Sequence, residues 1–268
     1  MPKHINKIKH FVIVRSGVCS PGKSFEEVYL SARADLFEEY TVKSIAAQTN
    51  REFYLIVVTS GLPNLVLDRI RGILKNVNNS AIVKTKSTIS NNNFLYCKEN
   101  YLTQIPDGIF DHSDYVITTR LDDDDMLHPD AIDLIQTHVT DEVDYKFVTF
   151  KNGLILQRGI YYKYDYPLST GGISIGLSLI KNSDAGFNIY GPIHSRVSEY
   201  AEKYVVEPET WDLEIVETED PMWIYNSHRN MDSCKNCDTE SDAWFKWLGI
   251  KKKQVDYRGP MRGIYERK

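Results

Sequence analysis

The chain has 268 residues, 42% hydrophobic and 26% charged, the balance of a folded globular protein and not of a disordered one. Its formal net charge of -5 disfavours general nucleic-acid binding, which calls for a basic surface. Four cysteines are too few for a disulfide-built scaffold. The start lacks a secretory apolar core and no stretch approaches the ~18 apolar residues of a membrane span, so the expected location is cytoplasmic. The charge is uneven. Residues 246–268 hold eight Lys/Arg against two acids, a basic tail, while the first 245 residues hold 24 Lys/Arg against 35 acids.

In chain order, residues 10–15 (HFVIVR) form a near-continuous apolar run, the pattern of a strand buried on both faces of a parallel sheet. A Gly/Ser/Pro loop follows. Leu36, Tyr40, Ile45 and Ala46 fall near helical spacing and predict a helix over 33–48; residues 53–59 (FYLIVVT) read as a second buried strand. Strand, helix and strand at this spacing make a βαβ unit with a right-handed crossover. Pro63 opens a helix to about Val77, residues 81–85 give a third strand, 94–105 a helix, and 115–121 (YVITTRL) a fourth strand. Pro129 stands where a helix's first turn tolerates proline, and 131–139 continue that helix. Strands at 146–150, 154–164, 172–180, 213–216 and 222–227 follow, with one helix at 193–204. The alternating first half and β-rich second half predict one mixed sheet with two functional halves.

Asp122–Asp125 are four consecutive aspartates directly after the fourth strand. Ligands of open α/β sheets bind beyond the carboxyl ends of strands. Adjacent carboxylates repel one another and call for a cation, and hard oxygen donors suit Mg or Mn held by one or two carboxylates plus substrate phosphates. A solvated helix N-terminus is the plain alternative, since acids there favour the helix dipole.

The segment DYVITTRLDDDDMLHPDAI resembles the metal-binding DxD region of nucleotide-sugar glycosyltransferases with the GT-A fold, and its form RLDDDDxLHPD is similar to a rhamnosyltransferase family. TVKSIAAQTNREFYLIVVTSG resembles the first βαβ of those enzymes; GGISIGLSL, PIHS and DPMWIYNSHRN resemble their later motifs. The resemblance spans most of residues 10–232. It implies an α/β GT-A fold with a mixed, mainly parallel central sheet flanked by helices and a smaller β-rich acceptor half. Residues 1–245 would be one catalytic domain, with about 1–130 holding donor and metal and 131–245 the acceptor, followed by the tail at 246–268.

The resemblance also implies roles. Asp122 and Asp124 match the first and third positions of the DxD motif: Asp124 as the main metal contact, Asp122 on the donor's ribose or the metal. Asp125 would orient metal-bound water or the sugar, and Asp123 points elsewhere, because alternate residues of an extended segment face opposite ways. His228 matches a late metal-binding histidine, or is an ordinary polar residue; as a ligand it would favour Mn over Mg. A general base must deprotonate the acceptor hydroxyl. Where relatives carry an acidic pair this chain has His194 and Ser195, so His194 is one candidate and Asp220, within ETED, the other. Arg15, Thr59 and Ser60 end the first two strands and would meet the nucleoside, whose base the sequence leaves open. Arg120 either pairs with the aspartates or contacts the diphosphate, and Gly171 and Gly172 permit close approach to a sugar or form a plain turn.

Cys234 and Cys237 form a CxxC without a second pair, a poor zinc site. Trp244, Phe245, Trp247 and Leu248 precede Lys251–Lys253, the composition of an interfacial membrane segment or of a docked C-terminal helix. The combined expectation is a Mn- or Mg-dependent glycosyltransferase that moves a hexose or deoxyhexose from a nucleotide-sugar donor to a glycan acceptor with inversion. It would touch a membrane's inner face through the basic tail and bind no nucleic acid. A nucleotidyltransferase, or a Ca-dependent glycan-binding module, is the alternative.

Overall fold

A computed structural model of the chain describes residues 7–18, 27–60, 62–84, 114–140, 144–165, 173–182, 189–190, 197–199, 211–227 and 253–262. In order the elements are β1 (Ile8–Val18), α1 (Glu27–Leu36), a π-helical segment (Phe37–Val42) running straight into α2 (Lys43–Ala46), β2 (Tyr54–Ser60), α3 (Asn64–Leu74), β3 (Ser80–Lys84), β4 (Tyr115–Asp122), β5 (Met126–Leu127) and α4 (Ala131–Thr137). Then come β6 (Tyr145–Phe150), β7 (Asn152–Gln157), β8 (Ile160–Asp165), β9 (Ser178–Asn182), β10 (Trp211–Val216), β11 (Trp223–Ser227) and β12 (Lys253–Val255). None of the described helices is long and apolar enough to cross a membrane.

The strands form two sheets, not one. A seven-stranded sheet has the order β10-β6-β9-β4-β1-β2-β3, and a five-stranded sheet the order β12-β8-β7-β11-β5. In the larger sheet β9 alone runs antiparallel to its neighbours, β4 and β6; the remaining pairs are parallel. This is the mixed, mainly parallel α/β sheet that the sequence predicts. The apolar runs follow from burial on both faces. Val12, Val14, Leu55, Val57, Ile117 and Leu121 pack with Phe37, Ile70 and Ile132 on one face. Phe11, Ile13, Ile56 and Val58 pack with Leu177, Leu179 and Tyr190 on the other. His10 is enclosed within β1: its Nε2 is 2.7 Å from Thr119 Oγ1, and burial lowers its pKa to about 3.

Three expected elements are corrected. The strand expected over 154–164 is a hairpin, β7 and β8, because Arg158 (φ 52°) and Gly159 (φ 77°) both take positive φ, as a two-residue I′ turn requires. The strand expected over 172–180 begins only at Ser178; before it the chain turns at Gly176 (φ 74°), whose N–H donates to Arg120 O at 2.9 Å. The helix expected over 33–48 already starts at Glu27. The helix expected over 94–105 lies outside the described residues, as does that over 193–204 except for a helical turn at 197–199.

The smaller sheet carries part of the basic tail. β12 pairs antiparallel with β8, and Tyr257 and Met261 are buried with Tyr40, Met126, Leu154 and Ile224. Arg258 and Arg262 both pair with Asp256, at 2.6 and 3.2 Å. Trp223 anchors this sheet: its Nε1–H donates to Phe150 O at 3.1 Å and its ring lies flat over Gly153, where a Cβ would come within 2.1 Å of ring carbons.

Candidate active site

The acidic turn follows β4 at the carboxyl edge of the large sheet. Parallel register sets Arg15 opposite Asp122 and Ile13 opposite Arg120. Period-two alternation then puts Arg15, Arg120 and Asp122 on one sheet face. Asp122 Oδ1 lies 3.9 Å from Arg15 and 3.7 Å from Arg120, and Ser174 Oγ donates to its Oδ2 at 3.5 Å. The Asp125 N–H donates to Asp122 O at 3.3 Å and closes the turn.

The continuous helix from α1 to α2 grips this turn along one stripe. Arg33 donates to Asp123 and, at 2.6 Å, to Asp124. Thr41 Oγ1–H faces the carbonyls of Asp122 and Asp125 at 3.2 and 3.0 Å. Ser44 Oγ donates to Thr41 O at 2.8 Å and accepts the Leu127 N–H at 3.3 Å. Gln48 spans both needs of the next loop, donating to His128 O at 2.9 Å and accepting the Ile132 N–H at 3.1 Å. Thr41 lies in the π-helical segment, a type of irregularity that recurs at functional sites.

The four aspartates differ in exposure. Asp123 and Asp125 are enclosed, whereas the Asp122 and Asp124 side chains keep 29% and 12% of their exposure. Burial pushes Asp123 up to about 7 against the pull of Arg33. Burial, then the charges of Asp124 and Asp122, raise Asp125 well above the carboxylate range, although Asp125 Oδ1 accepts the Asn226 N–H at 3.0 Å. The Asp122 and Asp124 carboxylates are a hard oxygen pair of the kind that holds Mg or Mn together with substrate phosphates, so this donor set fits such an ion. Among the described residues no three His, Cys, Asp or Glu side chains gather to hold a metal. β11 delivers the chain to the turn at Asn226. The next histidine, His228, lies outside the described residues, as do His194, Gly171, Gly172, Cys234 and Cys237.

Thr59 is buried near the end of β2, opposite Lys84, and Ser60 ends that strand opposite Val18. Asp220 precedes β11, where its charge acts on His128 and Tyr257. Glu217, its neighbour in ETED, pairs with Lys151.

Sequence reasoning passed over Arg33, Thr41, Ser44, Gln48 and Tyr190. Ring and charge meet at Tyr190: the Arg15 and Arg120 guanidiniums each lie 4.9 Å from its ring centre, and its hydroxyl donates to Ile13 O at 2.9 Å, with Leu121 O at 3.3 Å. A polar i, i+3, i+7 stripe (Thr41, Ser44, Gln48) among buried Phe37, Val42 and Ile45 was the available signal for the helix.

A model of the family described as "Putative rhamnosyl transferase" matches residues 23–235, most of the chain and all of the acidic turn. The chain belongs to this family. No curated relative matches it. Among solved structures, S. aureus TarS is similar over 84% of this chain and 37% of its own, with 11% identity and a TM-score of 0.47. The mannosyltransferase PcManGT from Pyrobaculum calidifontis, in complex with GDP-Man and Mn2+, is similar over 85% of this chain and 59% of its own, at 13% identity and TM-score 0.48. The galactosyltransferase LgtC, with donor and acceptor sugar analogues, is similar over 95% and 99%, at 13% identity and TM-score 0.40. The chain thus spans about a third to three-fifths of the length of the first two proteins.

Proposed function

We propose that this member of the rhamnosyl transferase family is a metal-dependent glycosyltransferase. It would move a sugar, rhamnose by the family's description, from a nucleotide-sugar donor to a glycan hydroxyl with inversion, as a step in polysaccharide assembly. The observation that carries this reading is the division of the acidic turn. Arg33 binds both Asp123 and Asp124, and the Asn226 N–H binds Asp125, which fixes the turn at the sheet's carboxyl edge with Asp122 and Asp124 the more exposed of its four carboxylates. Asp122 and Asp124 would hold Mn or Mg, with His228 as a further ligand. The bound ion supplies Lewis-acid stabilisation of the negative charge that the departing diphosphate gains.

The remaining work falls to side chains. Arg15, Thr59 and Ser60, at the ends of β1 and β2, would meet the nucleoside. Gly171 and Gly172 would let the backbone approach a sugar. We assign the general base to His194, whose ordinary pKa of about 6.5 suits proton removal from a hydroxyl near neutral pH. Asp125 is enclosed, bonded to Asn226 and raised in pKa, so it positions β11 against the turn.

A thermal-shift panel of nucleoside diphosphates with Mn2+ tests this reading. Binding to the native state raises the melting point by mass action, worth about 2.7 kcal/mol at a hundredfold excess over Kd. One nucleoside diphosphate should stand out, and more so with Mn2+ than with EDTA. A panel that leaves the melting point unmoved would overturn the assignment.

A further inference from the structure

The family match ends at residue 235, yet the chain beyond it returns to the surroundings of the acidic turn. β12 extends the smaller sheet beside β8, and residues 256–262 form a knob at its end. The knob is held by its own bonds. Arg258 and Arg262 pair with Asp256, the Arg262 guanidinium donates to Tyr257 O at 3.1 Å, and the Arg262 N–H donates to Gly259 O at 3.1 Å. The Tyr257 ring covers Gly259, where a Cβ would come within 2.4 Å of it, and meets the Tyr161 ring of β8 at 5.4 Å.

The buried side chains of the knob, Tyr257 and Met261, share one apolar cluster with Tyr40, Met126 and Ile224. Each of these three stands beside a hold on the acidic turn. Tyr40 precedes Thr41, whose hydroxyl faces the carbonyls of Asp122 and Asp125. Met126 directly follows Asp125. Ile224 pairs with Met126 across β11 and β5, two residues before Asn226, whose N–H binds Asp125 Oδ1. The π-helical segment, β5 and β11 therefore share one packed cluster with the knob. Met261 is 0% exposed. Close-packed interiors transmit strain, so a void at Met261 reaches the backbone that carries Asp124 and Asp125.

We infer that residues 256–262, which lie outside the family match, are a positioning element for the acidic turn. Met261 and Tyr257 set the spacing of the π-helical segment, β5 and β11, and through them the geometry in which Asp122 and Asp124 meet a cation. The effect on a cation rests on the proposed metal site; the effect on the backbone of the turn does not.

Two readouts on the full chain test this, at a temperature where every variant is folded. The first is hydrogen–deuterium exchange in EDTA, read over peptides that carry Asp125, Leu127 and Asn226. The second is calorimetric titration with Mn2+. Met261→Ala should speed exchange in those peptides and weaken Mn2+ binding about two- to thirtyfold, the range for residues that couple to a site without touching it. Met261→Leu, which conserves volume, should match wild type in both. Val255→Ala, a smaller loss at the edge of the same cluster, should give the same pattern at lower amplitude and covers the case in which Met261→Ala fails to fold. Leu179→Ala, in the apolar cluster on the other side of the large sheet, should lower the melting point and leave both readouts unchanged. Turn exchange or Mn2+ affinity equal in wild type and Met261→Ala, or altered as much by Leu179→Ala, overturns the positioning role while the metal site stands. Faster turn exchange confined to the Met261 and Val255 variants, in a protein whose wild type binds no Mn2+, supports the positioning role and overturns the metal reading.

Discussion

Acid titration of the cation-free protein sets a buried histidine against buried carboxylates, and His10→Gln separates them. His10 is enclosed within β1, and burial lowers its pKa from 6.5 to about 3. Between those values the unfolded chain binds a proton that the folded chain does not. This contribution to stability is therefore complete above pH 6.5 and is lost as pH falls towards 3. The separation of about 3.5 units, at 1.36 kcal/mol per unit, amounts to about 5 kcal/mol when fully developed. Asp123 works in the opposite sense. Burial raises it from 3.8 to about 7, so the folded chain binds the extra proton and stability grows as pH falls through that window. Asp125, which burial also raises, acts in the same sense as Asp123, so in wild-type protein the carboxylates mask the His10 effect. Glutamine keeps a nitrogen near the place of Nε2, 2.7 Å from Thr119 Oγ1, and does not titrate. Relative to wild type, His10→Gln should gain about 1.4 kcal/mol for each unit of acidification below pH 6.5, reaching about 3 kcal/mol at pH 4. Urea unfolding of both proteins in EDTA, at half-unit steps from pH 7.5 to 4, measures the difference. Parallel profiles would refute the reasoning, because they would mean that His10 takes up its proton in the folded state.

Three further outcomes follow from the same structure. Arg33→Met leaves Asp123 and Asp124 without their shared guanidinium and should cost about 3–5 kcal/mol, measured by chemical unfolding, with part of the loss recovered when Asp123→Asn is added. Gly153→Ala drives a methyl group into the Trp223 indole, 2.1 Å from its ring carbons; it should cost about 3 kcal/mol or more and alter the near-UV circular dichroism of that buried ring. Met261→Ala should destabilise by about 2–5 kcal/mol, a loss that a free tail would not show.

The central strands were legible because burial on both faces leaves an unmistakable record: HFVIVR, FYLIVVT and YVITTRL all became strands of the large sheet. The acidic turn was legible through its position after β4. The second sheet was not, because its strands are short and its hairpin turns on Arg158-Gly159, which lacks the usual Asn-Gly signature. β12 hid for a similar reason: Lys253, Gln254 and Val255 look like solvated tail, yet a short, charged strand is a common way to finish a sheet edge. Arg33 hid in a helix that reads as an ordinary amphipathic crossover. Its partners lie 90 and 91 residues away, and only the fold brings them together.

The most direct measurement of the central claim is release of nucleoside diphosphate from a panel of nucleotide sugars by purified protein, in Mn2+, in Mg2+ and in EDTA, with Asp124→Ala beside wild type. The account predicts turnover of one donor that requires a divalent ion and vanishes in Asp124→Ala, while the variant remains folded by circular dichroism. Turnover that persists in EDTA, or that survives loss of the Asp124 carboxylate, would contradict it.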